Sequence, residues 1–180
     1  MSEVKKWCFV VATIIAIAGM FLMAGCEEAK ETVAETKVTA AEAKETVAES
    51  MIKGETYENS KFSITVPEGW VIAYKTESSV WLNTKDEVFG IIVEISRNNV
   101  TEAEIKAEVE ELIKSKNGTP LEEVTMLGVK FFITSVVDGS LDQTAYLGVR
   151  NGERVSIVLA GKDHKNNDEM KAMMESIKFK

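Results

Sequence analysis

The stretch from Leu121 to Ala160 constrains the fold most. Four strand-like segments follow one another there: Leu121–Leu127, Val129–Val137, Leu141–Val149 and Arg154–Ala160. Gly128, Asp138-Gly139 and Asn151-Gly152 separate them. Asp-Gly and Asn-Gly supply the two positive-φ residues of a tight hairpin turn, so the segments are expected to pair antiparallel. Upstream, Lys61–Val66 alternates, with Phe62, Ile64 and Val66 on one face. Pro67-Glu68-Gly69 turns the chain into an apolar run from Trp70 to Tyr74, followed by a short strand at Val80-Trp81-Leu82. Val88–Ser96 is a stronger strand, with Phe89, Ile91, Val93 and Ile95 on one face.

Two helices interrupt these strands. Thr101-Glu102-Ala103-Glu104 is a capping box, and Ile105, Val109, Leu112 and Ile113 follow at helical spacing. This helix is expected to stop near Asn117-Gly118, with Pro120 just beyond. The second starts at Asn167, a good N-cap, and runs to about Ser176 with Met170, Met173, Met174 and Ile177 on one face. The order is therefore β-β-β-β-α-β-β-β-β-α, an α+β domain built on an antiparallel β-sheet. Several strands are apolar on both faces, as in Val71 with Ile72, Phe131 with Phe132 and Val136 with Val137. A sheet of that kind needs cover on both sides, which one helix on each face would supply.

The first 25 residues read as an address. Lys5 and Lys6 precede an uncharged apolar run, Trp7–Gly25, that ends Leu22-Met23-Ala24-Gly25-Cys26. Small residues before a cysteine at the end of such a run resemble the lipobox of bacterial lipoproteins. The resemblance implies cleavage between Gly25 and Cys26, with Cys26 carrying the lipid. The position three before the cysteine is Met23, where that family usually has Leu. An uncleaved single-span anchor is the alternative, since the run is just long enough to cross a bilayer. Either way the lysines hold the N-terminus inside and place residues 27–180 outside the cytoplasm. The expected location is the bacterial membrane, through the lipid, on its periplasmic or outer face.

Residues 26–56 read as an acidic tether of four lysines and eight glutamates. Ala29-Lys30-Glu31-Thr32-Val33-Ala34-Glu35 recurs 14 residues later as Ala43–Glu49, which puts Val33, Ala40 and Val47 on one helical stripe. A solvated, partly helical spacer is the favoured reading. An alanine-rich coiled coil is the competing one, although its seam would bury little. Gly54 is the expected stop. Residues 57–180 form the globular domain, a size that can bury a real core.

The opening of that domain, Tyr57-Glu-Asn-Ser-Lys-Phe-Ser-Ile-Thr-Val-Pro-Glu-Gly-Trp70, resembles the first strand and turn of the PsbP/DcrB-like superfamily. Its close, Met174-Glu-Ser-Ile-Lys-Phe179, is similar to that superfamily's terminal helix and tail. Lys61 departs from the pattern, where a glycine is frequent. The resemblance implies an αβα sandwich around an antiparallel sheet. Members include an extrinsic photosystem subunit, a small nuclear-import factor that binds a GTPase, envelope lipoproteins and adaptors for secreted effectors. It implies binding rather than catalysis and carries over no catalytic residue.

The chemistry readable in the residues agrees with that. The net charge of −8 argues against a nucleic-acid partner, which would select a basic stripe. Two cysteines and one histidine leave little room for thiol or zinc chemistry. His164 has no partner histidine at ligand spacing and no G-x-S-x-G nucleophile, and reads as part of a polar surface loop. No phosphate loop is present. The expectation is no catalytic residue, no metal and no cofactor. The predicted role is a lipid-anchored binding or adaptor module of the cell envelope with a protein partner. Two other classes stay open: a self-assembling spacer acting through residues 29–50, and a carboxylate-based hydrolase, which would need a cleft with two facing acids. The candidate binding surface is Trp81, Phe131, Phe132 and Tyr146, the aromatic excess that two helices would leave uncovered. Core burial is the competing reading for Phe131 and Phe132.

Overall fold

The structure is a computed structural model that describes residues 53–138 and 141–180. The apolar N-terminal run, Cys26, the 14-residue repeat and Gly139 of the expected Asp-Gly turn lie outside the described residues. Among the described residues, ten strands and two α-helices follow in the order β1 (Gly54–Glu58), β2 (Phe62–Pro67), β3 (Trp70–Lys75), β4 (Ser79–Thr84), β5 (Gly90–Ser96), α1 (Glu102–Lys116), β6 (Glu122–Met126), β7 (Val129–Asp138), β8 (Leu141–Arg150), β9 (Glu153–Ala160), α2 (Asp168–Glu175) and β10 (Lys178–Phe179). A 3-10 turn, His164–Asn166, precedes α2.

Seven strands make one antiparallel sheet in the order β3-β4-β5-β9-β8-β7-β6. The turns explain the local pairing. Asn151 and Gly152 take φ of 52° and 75°, the left-handed pair a two-residue hairpin demands, and Leu127-Gly128 does the same between β6 and β7. Helix α1 starts on the expected box: the Thr101 hydroxyl accepts from the Glu104 amide, while the Glu104 carboxylate accepts from the Thr101 amide. It ends on Asn117 in the left-handed conformation. Asn167 caps α2 through the Met170 amide.

Both faces of the large sheet are covered, as its two-sided apolar strands require. On one face α1 seats Ile105 and Val109 against Phe132 and Leu147. Its Leu112 meets Ile92, Val136, Ala145 and Val158. The other, inner face buries Ile91, Val93, Phe131, Val155 and Ile157 against Phe62 and Ile64 of β2 and Met170 and Met173 of α2. The fold is thus an α+β antiparallel structure with a helix on each face.

Two features depart from the expectation. First, the inner cover is shared between α2 and a second sheet of three strands, β1-β2-β10. Second, strand β1 starts at Gly54, within the segment expected as tether. Gly54 pairs with Pro67, and a Cβ there would lie 2.1 Å from the Val66 carbonyl oxygen. So Gly54 lets β1 approach β2, and it opens that strand. The strand Gly-Glu-Thr-Tyr-Glu is nearly all exposed and has no apolar alternation of its own, so only its pairing with β2 makes it a strand.

Candidate functional site

Strand β3 is one edge of the large sheet, and its sequence Trp-Val-Ile-Ala-Tyr-Lys buries only Trp70. Val71, Ile72 and Tyr74 are 41%, 41% and 50% exposed. Its register against β4 explains how they are aimed. Trp70 and Ile72 pair with Thr84 and Leu82 and point to the inner face, whereas Val71 pairs with Asn83 and points to the α1 side. A bulge at Ala73 then shifts the register, so that Tyr74 pairs with Trp81. The extra residue turns Tyr74 onto the α1 side, where its ring sits 5.1 Å from the Trp81 ring at 55°. Trp81, half-buried, packs in turn on the Ile92–Leu112–Val158 cluster.

On the inner side of the same edge the two sheets part. A cleft of about 530 Å³ opens between the β1–β2 hairpin and β3. Tyr57, Val66, Trp70 and Ile72 form its apolar wall, and Glu55, Glu68 and Lys85 its polar rim. Trp70 is fixed there because its indole Nε1 donates to the Glu169 carboxylate of α2 at 3.0 Å. Tyr57 is fixed because its hydroxyl donates to the Thr76 carbonyl at 3.2 Å. The two acids of the rim, Glu55 and Glu68, are exposed. Among the described residues no group of three or more His, Cys, Asp or Glu is placed to hold a metal ion. Nor is any helix among them long and apolar enough to cross a membrane.

The candidate aromatics separate. Trp81 is half-buried, beside the exposed Tyr74. Phe131 and Phe132 are 0% and 2% exposed. The second sheet and α2 cover Phe131, and α1 covers Phe132, so both are core. Tyr146 is half-buried, edge-on to Phe131 at 6.3 Å, and burial and the nearby Glu122 charge raise its pKa. It braces the core far along the sheet order from β3. Tyr57 and Trp70, which line the cleft, were readable as aromatics bracketing β2, but only the pairing of β1 shows that they converge.

His164 is also placed differently from the sequence expectation. It is 3% exposed, not on the surface. Its Nδ1 lies 2.8 Å from the Gly161 carbonyl oxygen, which can only accept, so Nδ1 carries the proton. Its Nε2 then accepts from the Thr144 hydroxyl at 2.7 Å, and Thr144 accepts from Ser135 at 2.9 Å. This chain pins the turn before α2 onto β8 and β7. Burial lowers the pKa of His164, and Lys165 adds to the lowering; the Gly161 carbonyl, Asp142 and Asp163 act the other way. The sign of the consequence follows. A histidine held neutral contributes its stability in full above its unfolded pKa of about 6.5 and loses it as the pH falls below that value. The melting temperature should therefore drop between about pH 7.5 and about pH 5.5, and His164→Gln should flatten that drop. Equal slopes in the two proteins would contradict this placement.

No protein-family model and no curated protein matches the sequence. Solved structures do resemble the fold. A crystal structure from Bacteroides thetaiotaomicron VPI-5482 superposes with a TM-score of 0.53 at 10% identity, over 72% of this chain and 49% of that one, so this chain spans about half of that protein's length. The solution structure of cyanobacterial PsbP (CyanoP) from Synechocystis sp. PCC 6803 is similar with a TM-score of 0.48 at 12% identity, over 70% of this chain and 92% of that one. At such identities the likeness is one of fold alone.

Proposed function

We propose that the chain is a lipid-anchored protein of the bacterial cell envelope whose domain binds a protein partner and catalyses no reaction. The observation that carries the binding reading is the cleft beside β3, with Tyr57, Val66, Trp70 and Ile72 on its wall. Concave sites of this size, lined by aromatic and aliphatic groups with a few polar ones on the rim, are where soluble domains take ligands and partner side chains. The exposed Tyr74, packed on the half-buried Trp81, extends the apolar surface around the same edge. Aromatic side chains of that kind are the usual anchors of protein interfaces. The Lys5, Lys6, apolar run and Ala24-Gly25-Cys26 series supports the anchor. Membership in the PsbP/DcrB-like superfamily, where binding is the common theme, belongs to the same proposal.

The test uses the full chain in its membrane. Ile72→Asp places a charge on the wall of the cleft at an exposed position, so the fold should survive. On native electrophoresis of solubilised membranes the complex with a second protein should collapse to the free chain. Val137→Asp, at a position 66% exposed on β7, should leave it intact. An unchanged complex with Ile72→Asp contradicts the reading. Cys26→Ser should release the chain from the membrane fraction or stall its processing; full retention with the same cleavage contradicts the anchor.

A further inference from the structure

We propose that the turn before α2 is an acid-operated latch: protonation of His164 frees the turn, α2 opens with it, and Trp70 of the cleft wall loses its anchor. As a control on partner binding, this rests on the reading of the cleft given above. His164 joins the sheet to α2 through its ring on one side and its backbone on the other. The ring is held by Gly161 and Thr144. The His164 carbonyl accepts from the Asn167 amide at 3.2 Å. Asn167 is the cap of α2, and its side chain accepts from the Met170 amide at 3.0 Å. In the same first turn Glu169 accepts from the Trp70 indole at 3.0 Å. A short series of contacts therefore leads from the imidazole to the cleft wall.

Helix α2 depends on that turn. At eight residues it is too short to persist on helix propensity alone. Met170 and Met173 fix its middle to the core. Its end is held where the Ser176 hydroxyl accepts from the Thr65 amide at 2.9 Å. Its start rests on residues 161–167. Their backbone is costly by itself: Asp163 takes a φ of 59°, and Gly161 one of 131°. A Cβ at Gly161 would lie 2.5 Å from a Phe89 ring carbon, so the chain passes there without slack. The two ring bonds of His164 tie this strained turn to β8.

A second proton on the ring is poorly accommodated. Once Nε2 carries hydrogen it can only donate, so Thr144 must reverse and give its own hydrogen to Ser135. The hydroxyls allow that reversal, but the cation stays buried. The charged groups that act on the ring are Asp142 of β8 and Asp163 and Lys165 of its own turn; β7 faces it through the uncharged Ser135. The ring's hydrogen bonds go to Gly161 and Thr144 rather than to either carboxylate. Asp163 is engaged by the Asn166 amide at 2.7 Å, and Lys165 repels the new charge. A buried cation without a hydrogen-bonded counter-charge is costly. Swinging the ring out to water relieves that cost and gives up the turn.

Hydrogen exchange of the full chain in detergent micelles tests the latch without any partner. A histidine held neutral when closed and titrating at about 6.5 when open raises the opening constant about tenfold between about pH 7.5 and about pH 5.5. Relative to their intrinsic rates, the amides of residues 170–175 and the Trp70 indole N–H should exchange about tenfold faster at the lower pH, while the amides of β5 and β9 stay as protected as before. His164→Gln, whose amide takes up no proton in this range, should remove the acid response from both. The single histidine of the chain also gives one imidazole signal, and in the unsubstituted chain it should titrate below about 6.5, which keeps the test decisive if the variant fails to fold. The latch is overturned by an α2 that does not respond to acid, by the same response in His164→Gln, or by equal loss of protection in β5 and β9. A Trp70 indole that does not follow α2, or an imidazole titrating at or above about 6.5, overturns it equally. A cleft that binds no partner would leave all of these readouts unchanged.

Discussion

Glu108→Ala is expected to destabilise the domain by about 3–5 kcal/mol, the cost of leaving a buried charge without its partner. Arg154 lies on the α1 face of β9 with its side chain 2% exposed. One Glu108 oxygen accepts from its Nε at 3.0 Å and its Nη2 at 2.6 Å. The other Glu108 oxygen pairs with Arg97. A single carboxylate on α1 therefore pairs with two guanidiniums, one of them out of water, and so ties the helix to the sheet. Removing it strands Arg154. Replacing both members, as Glu108→Leu with Arg154→Met, should recover most of the loss, because an apolar pair needs no charge partner. Urea denaturation at constant slope reads the difference. A loss of less than about 0.5 kcal/mol for Glu108→Ala, the level of an ordinary surface change, would show that the pair is solvated after all.

Phe131→Ala is expected to cost about 3–5 kcal/mol by the same measurement, as large-to-small changes in a filled core do. Its ring touches no solvent and packs on the inner face with Tyr146 at its edge. Trp81→Ala should cost less, because one side of that ring already faces Tyr74 at the surface. The same pair of variants separates core from site. Phe131→Ala should weaken partner capture only to the extent that it unfolds the domain, whereas Trp81→Ala should weaken it while the domain stays folded. Equal stability losses at the two positions would contradict this division.

What was legible in the sequence was local. The capping box at Thr101, the Asn167 cap, the Asn151-Gly152 turn and the alternation in β2 and β5 each need only neighbouring residues, and each appears where the pattern places it. The need for cover on both faces was also legible, because Phe131 and Phe132 are adjacent and a strand sends adjacent side chains to opposite sides. How much cover exists was not. It depends on β1, an exposed strand with no pattern, and on β10, two residues long, which together with β2 make the second sheet. Hence both phenylalanines, expected as possible surface, are interior. His164 escaped for a similar reason. Its neighbours Lys162, Asp163, Lys165 and Asn166 are a surface vocabulary, and the partners that bury it, Thr144 and Ser135, reach it only through the register of β8 against β7 and β9. The cleft has the same character: Tyr57 and Trp70 lie on either side of β2 in the chain and face each other only after β1 folds back.

The proposed binding of a partner in that cleft is tested most directly by photo-cross-linking from Tyr57 in the full chain, in membranes. Tyr57 lines the cleft from β1. Benzoylphenylalanine at position 57 should give one discrete adduct with a second protein, and the adduct should disappear when Ile72→Asp is added. Uncross-linked chain alone, or the same adduct from a probe at Val137, would contradict the account.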